Sequence, residues 1–304
     1  MKWPDPTFSV KVNVTNPGQF FACCGLLELA HRLWHGAEGW FDEDELGPRF
    51  CVRALFSASA RLNQVVEALL TCKISGLSDE AQEELKRLQA EEKRLRKEGR
   101  ALPKDEELRL KELGNQARAG GLYLGAPFSL TLDWWQVEHD ESSPKTWAGQ
   151  QKPHKMARAA QEAIADINDA ESLFDFPCVL RTPPEYSKNK SDKGKPVEPF
   201  CFDARRFAHA LDTGFSLDVQ DVETRAYPAV ELLALIGLQR CLPASGSTRW
   251  ALQYAVWSHP VSPPVAAAIT SRKIRGSTKY EFQLLFRDDQ KRYKAFGFAF
   301  PVGD

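Results

Sequence analysis

Residues 8–35 constrain the fold more than any other stretch. Phe8, Val10, Val12 and Val14 alternate with Ser9, Lys11 and Asn13, the period of a strand with one buried face. Asn16-Pro17-Gly18 then forces a turn. From Gln19 to His35 the spacing changes to that of a helix, with Phe20, Cys23, Cys24, Leu27, Ala30 and Trp34 on an apolar stripe, and Gly36 is expected to end it. A strand leading through a tight turn into a helix needs a sheet on one side and further helices on the other.

The rest of the chain supplies both. Phe50–Phe56, Phe128–Trp135, Trp250–Trp257, Tyr280–Arg287 and Arg292–Phe300 read as strands, the last two joined by a short turn at Asp288-Asp289-Gln290. Leu62–Leu70, Lys155–Asp169 and Tyr227–Arg240 read as helices, with Pro228 suited to a first turn. No repeat of fixed period is present. The expectation is one α+β domain spanning 304 residues, a helix-covered and mainly antiparallel sheet.

Two insertions stand out. Residues 77–118 predict a charged helical hairpin. Leu85, Leu88 and Leu95 form a thin seam among i,i+4 pairs such as Glu83–Arg87 and Glu92–Arg96, and Gly99 and Pro103 make the break. The seam needs a cover, so a protein-docking arm and a merely solvated pair of helices stand about even. Residues 185–199 predict a basic loop without apolar anchors, carrying Lys188, Lys190, Lys193 and Lys195.

Composition narrows the function. A 43% hydrophobic content with 8 Trp and 18 Phe excludes disorder of the whole chain. No apolar run reaches the roughly 20 residues of a membrane span. The opening MKWPDPTFSVKV lacks the apolar core of a signal peptide, so a cytoplasmic protein is expected. The seven cysteines are odd in number and contain no CxxC, which predicts buried thiols and no zinc site. No phosphate-cradling glycine loop appears, so no nucleotide cofactor or other cofactor is expected.

The acids form no recognisable metal-nuclease set. His31 and His35 lie one helical turn apart, which raises an endoribonuclease reading with either as general base. Two partly exposed histidines near a helix C-terminus are the plainer account, and the stronger one.

Basic side chains are the better candidates. A net charge of −1 argues against a free-standing nucleic-acid coat, but the charge is segregated. Lys145, Lys152, Lys155 and Arg158 surround Trp147, Gln150 and Gln151. Lysines neutralise phosphates, a tryptophan can stack on an unpaired base, and glutamine can read a base edge. The plainer account makes Trp147 core and the lysines a solvated rim. The loop lysines can close over a backbone, or simply keep a loop hydrated. Arg272, Lys273, Arg275 and Lys279 precede a strand and suit a backbone-gripping edge, or protect that edge from aggregation.

Several phrases then point one way together: NPGQFFACCGLLELAHRLW, LDWWQ followed by KTWAGQQ, DTGFSLD, and YPAVELLALIGLQRCLP, in this order between about residues 8 and 243. The set resembles the type I-U (also I-G) CRISPR-associated proteins of the Csb group, third member, which are large-subunit-like. The resemblance implies a non-catalytic subunit of a Cascade surveillance complex. Its partners would be crRNA, target double-stranded DNA, the backbone and end-cap/processing proteins, and a helicase-nuclease. Guide pairing supplies most specificity in such systems while protein reads a short adjacent motif. The matched phrases extend a nucleic-acid-contact role to Asn16, Gly18 and Gln19 as well as to Trp147, Gln150 and Gln151. A purely architectural bridge through the charged hairpin is the remaining alternative.

Overall fold

The computed structural model describes residues 3–45, 47–119, 121–136, 143–148, 151–167, 172–186, 194–206, 225–274, 278–287 and 293–303. Strand β1 (Phe8–Lys11) leads into α1 (Pro17–Leu33), followed by β2 (Ala37–Asp44), β3 (Gly47–Ala54), α2 (Leu62–Thr71) and β4 (Ile74–Ser75). The hairpin is α3 (Asp79–Lys97) and α4 (Lys104–Ala119), after which β5 (Leu122–Leu124), β6 (Leu130–Leu132) and α5 (Pro153–Ile164) follow. The C-terminal part comprises α6 (Pro228–Gly237), β7 (Ala244–Ser245), β8 (Ala251–Val256), α7 (Pro263–Thr270), β9 (Thr278–Phe286), β10 (Lys294–Phe296) and β11 (Phe300–Val302).

The architecture is α+β. Among the described residues, antiparallel pairing builds three sheets, ordered β1-β3-β2, β4-β5-β6 and β10-β9-β8-β7, with β11 also on β9. The first and last are knitted together around α1. The Trp257 indole donates to the Gly39 carbonyl, and the Tyr254 hydroxyl donates to the Val14 carbonyl at 2.7 Å. The Phe20 ring lies between Phe41 and Tyr254, stacked at 5.5 and 4.2 Å.

At the centre, α1 packs on α6, all of whose residues are buried. The approach is possible only because of two glycines. A Cβ on Gly25 would sit 2.0 Å from the Leu233 carbonyl oxygen, and one on Gly237 would sit 2.0 Å from that of Phe21. The backbones therefore touch with no side chain between them.

Asn16 starts α1 as its N-cap, with Pro17 at the first helical position, so the helix begins two residues earlier than the sequence pattern predicts. Its end also differs. His35, not Gly36, adopts the left-handed conformation (φ 54°), while Gly36 makes room for the Phe56 ring. Strand β2 and helix α7 escape periodicity. β2 is rich in acids, and α7 opens on two prolines. The predicted strand at 292–300 is two short strands, β10 and β11, either side of Gly297.

Glu28, on α1, is buried and hydrogen-bonded to Arg32 at 2.7 Å and Arg240 at 2.6 Å. Burial pushes its carboxyl up, but the two guanidinium hydrogen bonds outweigh it and leave the pKa below the ordinary value of 4.5. A carboxyl depressed in the fold contributes stability that is present above its unfolded pKa and lost as pH falls through the folded one. Urea midpoints of the wild type are therefore expected to fall as pH drops below about 4.5. That fall should be shallower in Glu28→Gln, which starts from lower stability near neutrality.

The hairpin covers its own seam. Leu88, Leu95, Leu102 and Leu113 are buried, and Arg109 reaches across to Glu84 at 2.8 Å and Arg87 to Glu106 at 3.6 Å. The expected Glu83–Arg87 pair is replaced by this cross-helix one. Leu108, 62% exposed, stands clear of the seam.

Candidate nucleic-acid interface

The turn before α5 is shaped by Gln151, whose side-chain oxygen accepts from the Ala148 N–H at 3.3 Å. Lys152 is the N-cap of α5 and Pro153 its first residue. Met156, Ala157, Ala159 and Ala160 face the core, which leaves Lys152, Lys155 and Arg158, three residues apart, along the outer edge. Arg158 is committed: it pairs with Glu185 at 2.8 Å and Glu162 at 3.2 Å. Neither Lys152 nor Lys155 pairs with an acid among the described residues.

These two lysines border a cavity of about 510 Å³. His154 and Tyr186 form an aromatic wall, ring centres 5.6 Å apart, and Met156 and Val197 contribute apolar surface. Glu198 also lines it, its carboxylate held at 2.8 Å by Arg287. Burial, with the Lys152 charge beside it, pushes the His154 pKa below 6.5, so the imidazole is neutral near pH 7. Its Nδ1 is buried without a hydrogen-bond partner. Burial also raises the Tyr186 phenol, keeping it protonated.

Residues flanking the second basic stretch line the same cavity. The chain passes from Tyr186 into 187–193 and returns at Gly194, and Tyr186 and Pro196 both line the wall. The loop read as lacking apolar anchors thus has Tyr186 and Val197 on this wall. Lys195 is exposed and its carbonyl accepts from Thr182. Lys188, Lys190, Lys193, Gln150 and Arg275 lie outside the described residues, as do the DTGFSLD phrase and the 288–290 turn.

The third basic stretch is elsewhere. Lys279 lies near the start of β9, whereas Arg287, which holds Glu198, follows its other end, roughly 26 Å away at 3.3 Å per residue. Arg272 is left-handed (φ 60°) and bonded to the Gln253 side chain, while Lys273 is exposed.

Four expected contacts prove to be structural. Trp147 is 4% exposed, enclosed by Trp134, Trp135 and Phe200, so no base can stack on it, and Lys145 lies over its ring at 5.7 Å with its pKa lowered by burial. Asn16 is fully buried. Its oxygen accepts from Gly18 and Ala204 N–H groups, each at 3.1 Å, and its nitrogen donates to Asp203 at 2.8 Å. Gln19 is buried too and accepts from the Asn13 N–H at 2.6 Å. Gly18 is required because a Cβ there would meet the Phe202 carbonyl oxygen at 2.4 Å.

His31 accepts from the Ala37 N–H through Nδ1 at 3.2 Å, which ties the end of α1 to β2, and His35 is exposed in the following turn. No group of three or more potential metal ligands occurs among the described residues, and no described helix is long and apolar enough to cross a membrane. No family model matches the chain, and neither a curated protein nor a solved structure matches it.

Proposed function

We propose that the chain is a non-catalytic subunit of a type I CRISPR RNA-guided surveillance complex, gripping the phosphate backbone of crRNA or target DNA through the lysine rim beside α5. The sequence resemblance supplies the system. The observation that carries the grip is the pairing of Lys152 and Lys155, both without acid partners among the described residues, with the root of a lysine-rich segment at one cavity. Lysines placed this way attract phosphate without reading sequence, as expected of a subunit whose specificity comes from guide pairing. Cytoplasmic location, the other Cascade subunits and the helicase-nuclease as partners belong to the same proposal.

The test is Lys152→Glu with Lys155→Glu in the assembled complex, titrated with target duplex across salt. Two lost contacts at about 0.9 each lower the log–log salt slope by roughly 1.8. Lys11→Glu, exposed on β1 and outside every candidate basic stretch, serves as the surface-charge control and leaves the slope unchanged. A slope unaltered by the α5 pair would overturn the grip on target DNA, and unaltered crRNA retention across salt as well would overturn the grip altogether and favour an architectural role.

A further inference from the structure

The grip explains the lysines but not the cavity behind them. Phosphate alone needs charge and hydrogen-bond donors. It has no use for an aromatic wall, a methionine floor and a hollow of about 510 Å³, within the range of small-molecule sites. These features suit a flat ring system with polar edges. Tyr186 and His154 offer ring surface, and Val197 and Met156 offer apolar contact. The Gln151 amide and the Tyr186 hydroxyl offer hydrogen bonds at the perimeter. The neutral imidazole matters here, because a cationic one would favour phosphate over a base. Lys152 and Lys155 stand where an attached phosphate would lie.

We infer that this cavity receives a single unstacked nucleotide of a single-stranded nucleic acid, its base against Tyr186 and His154 and its phosphate at Lys152 and Lys155. The inference rests on the phosphate-gripping reading and adds the chemistry of its pocket. RNA and DNA share that chemistry, and the 2′-hydroxyl separates them.

The chain carries its own reporter. It has two methionines, Met1 and Met156, and the second is 3% exposed on the cavity floor. Methyl-13C methionine labelling of the full chain gives one signal at the pocket. Mixed-sequence single-stranded hexanucleotides of RNA and of DNA, titrated at low salt, are expected to shift the Met156 methyl. The same backbone made abasic is expected to leave it in place, as are inorganic phosphate and a polyglutamate peptide.

Tyr186→Ala, at a half-buried position, is expected to weaken the shift about tenfold in concentration, the order of one lost stacked base. Val197→Trp, which puts an indole against the wall where the base would lie, should weaken it at least as much. Circular dichroism confirms that either variant is folded, and one folded variant suffices. A lower midpoint for RNA assigns the guide as the source, and a lower one for DNA assigns a displaced strand.

A Met156 signal unmoved by both oligonucleotides overturns the pocket. So does one moved equally by the abasic strand or by polyglutamate. The salt-slope test fails separately. A slope lowered by the lysine reversals with Met156 unmoved keeps the grip and removes the pocket. Met156 moved by base-bearing strands with an unchanged slope keeps the pocket and removes the grip on target duplex.

Discussion

Gly25→Ala is expected to destabilise the protein by about 3 kcal/mol or more, the upper range for overpacking a core. The added methyl would stand 2.0 Å from the Leu233 carbonyl oxygen, and no flexible side chain is there to give way. Helices α1 and α6 would have to separate, and both lie at the centre of the buried cluster. The thermal midpoint should fall by roughly 6–12 °C, taking 2–4 °C per kcal/mol for a chain of this order. Gly237→Ala should behave alike. Because a Cβ on Gly237 also meets the Gly25 nitrogen at 2.7 Å, the two substitutions share one contact. The double variant should then cost less than the sum, since the first methyl already parts the helices. Gly303, with open space around it, is the neutral control. A Gly25→Ala protein melting with the wild type would show that the backbones do not touch there.

Asn16→Ala is the second large effect, and it separates structure from recognition. Losing the helix cap costs about 1 kcal/mol. The Ala204 N–H and the Asp203 carboxylate also each lose a buried partner, at about 1–3 kcal/mol for an orphaned group. Arg205 still holds Asp203 at 2.8 Å, which limits the damage on that side. The expected total is about 2–4 kcal/mol by chemical denaturation. The salt dependence of nucleic-acid binding should not change, because the side chain is fully buried. A folded, stable Asn16→Ala protein that loses affinity would return Asn16 to the interface.

Both effects bear on what the chain reveals before it is folded. Helices α1, α2 and α3 and strands β1 and β9 are legible because each carries one dominant period over several residues, and α6 and β8 because each is a nearly continuous apolar run. Strand β2 is not, since four of its eight residues are acids and its core face comes from Gly39, Trp40 and Phe41 together. At the site, Lys152 and Lys155 are legible as unpaired charge next to a helix start. Trp147 misleads because it sits in irregular chain, where no period distinguishes inside from outside, and its polar neighbours suggest surface. Asn16 misleads for a related reason. A polar residue in a turn looks available, and the partners that occupy it, Asp203 and Ala204, lie nearly two hundred residues away. Tyr186, His154 and Glu198 come together only through tertiary structure. The segment 194–198 runs back beside α5, a closure that no local pattern announces.

The packing of α1 on α6 also sets a timetable for the ribosome. Helix α1 begins at Pro17 and its partner at Pro228. At 5–20 residues per second, the first waits about 10–40 s for the second to be synthesised. During that interval α1 can meet β2, β3 and α2 but its face for α6 stays uncovered, and the strands that close over it, β8 and β9, emerge later still. Such an exposed apolar face is what chaperones in general bind. The yield of the protein should respond more to translation speed and chaperone supply than to the stability of the finished molecule.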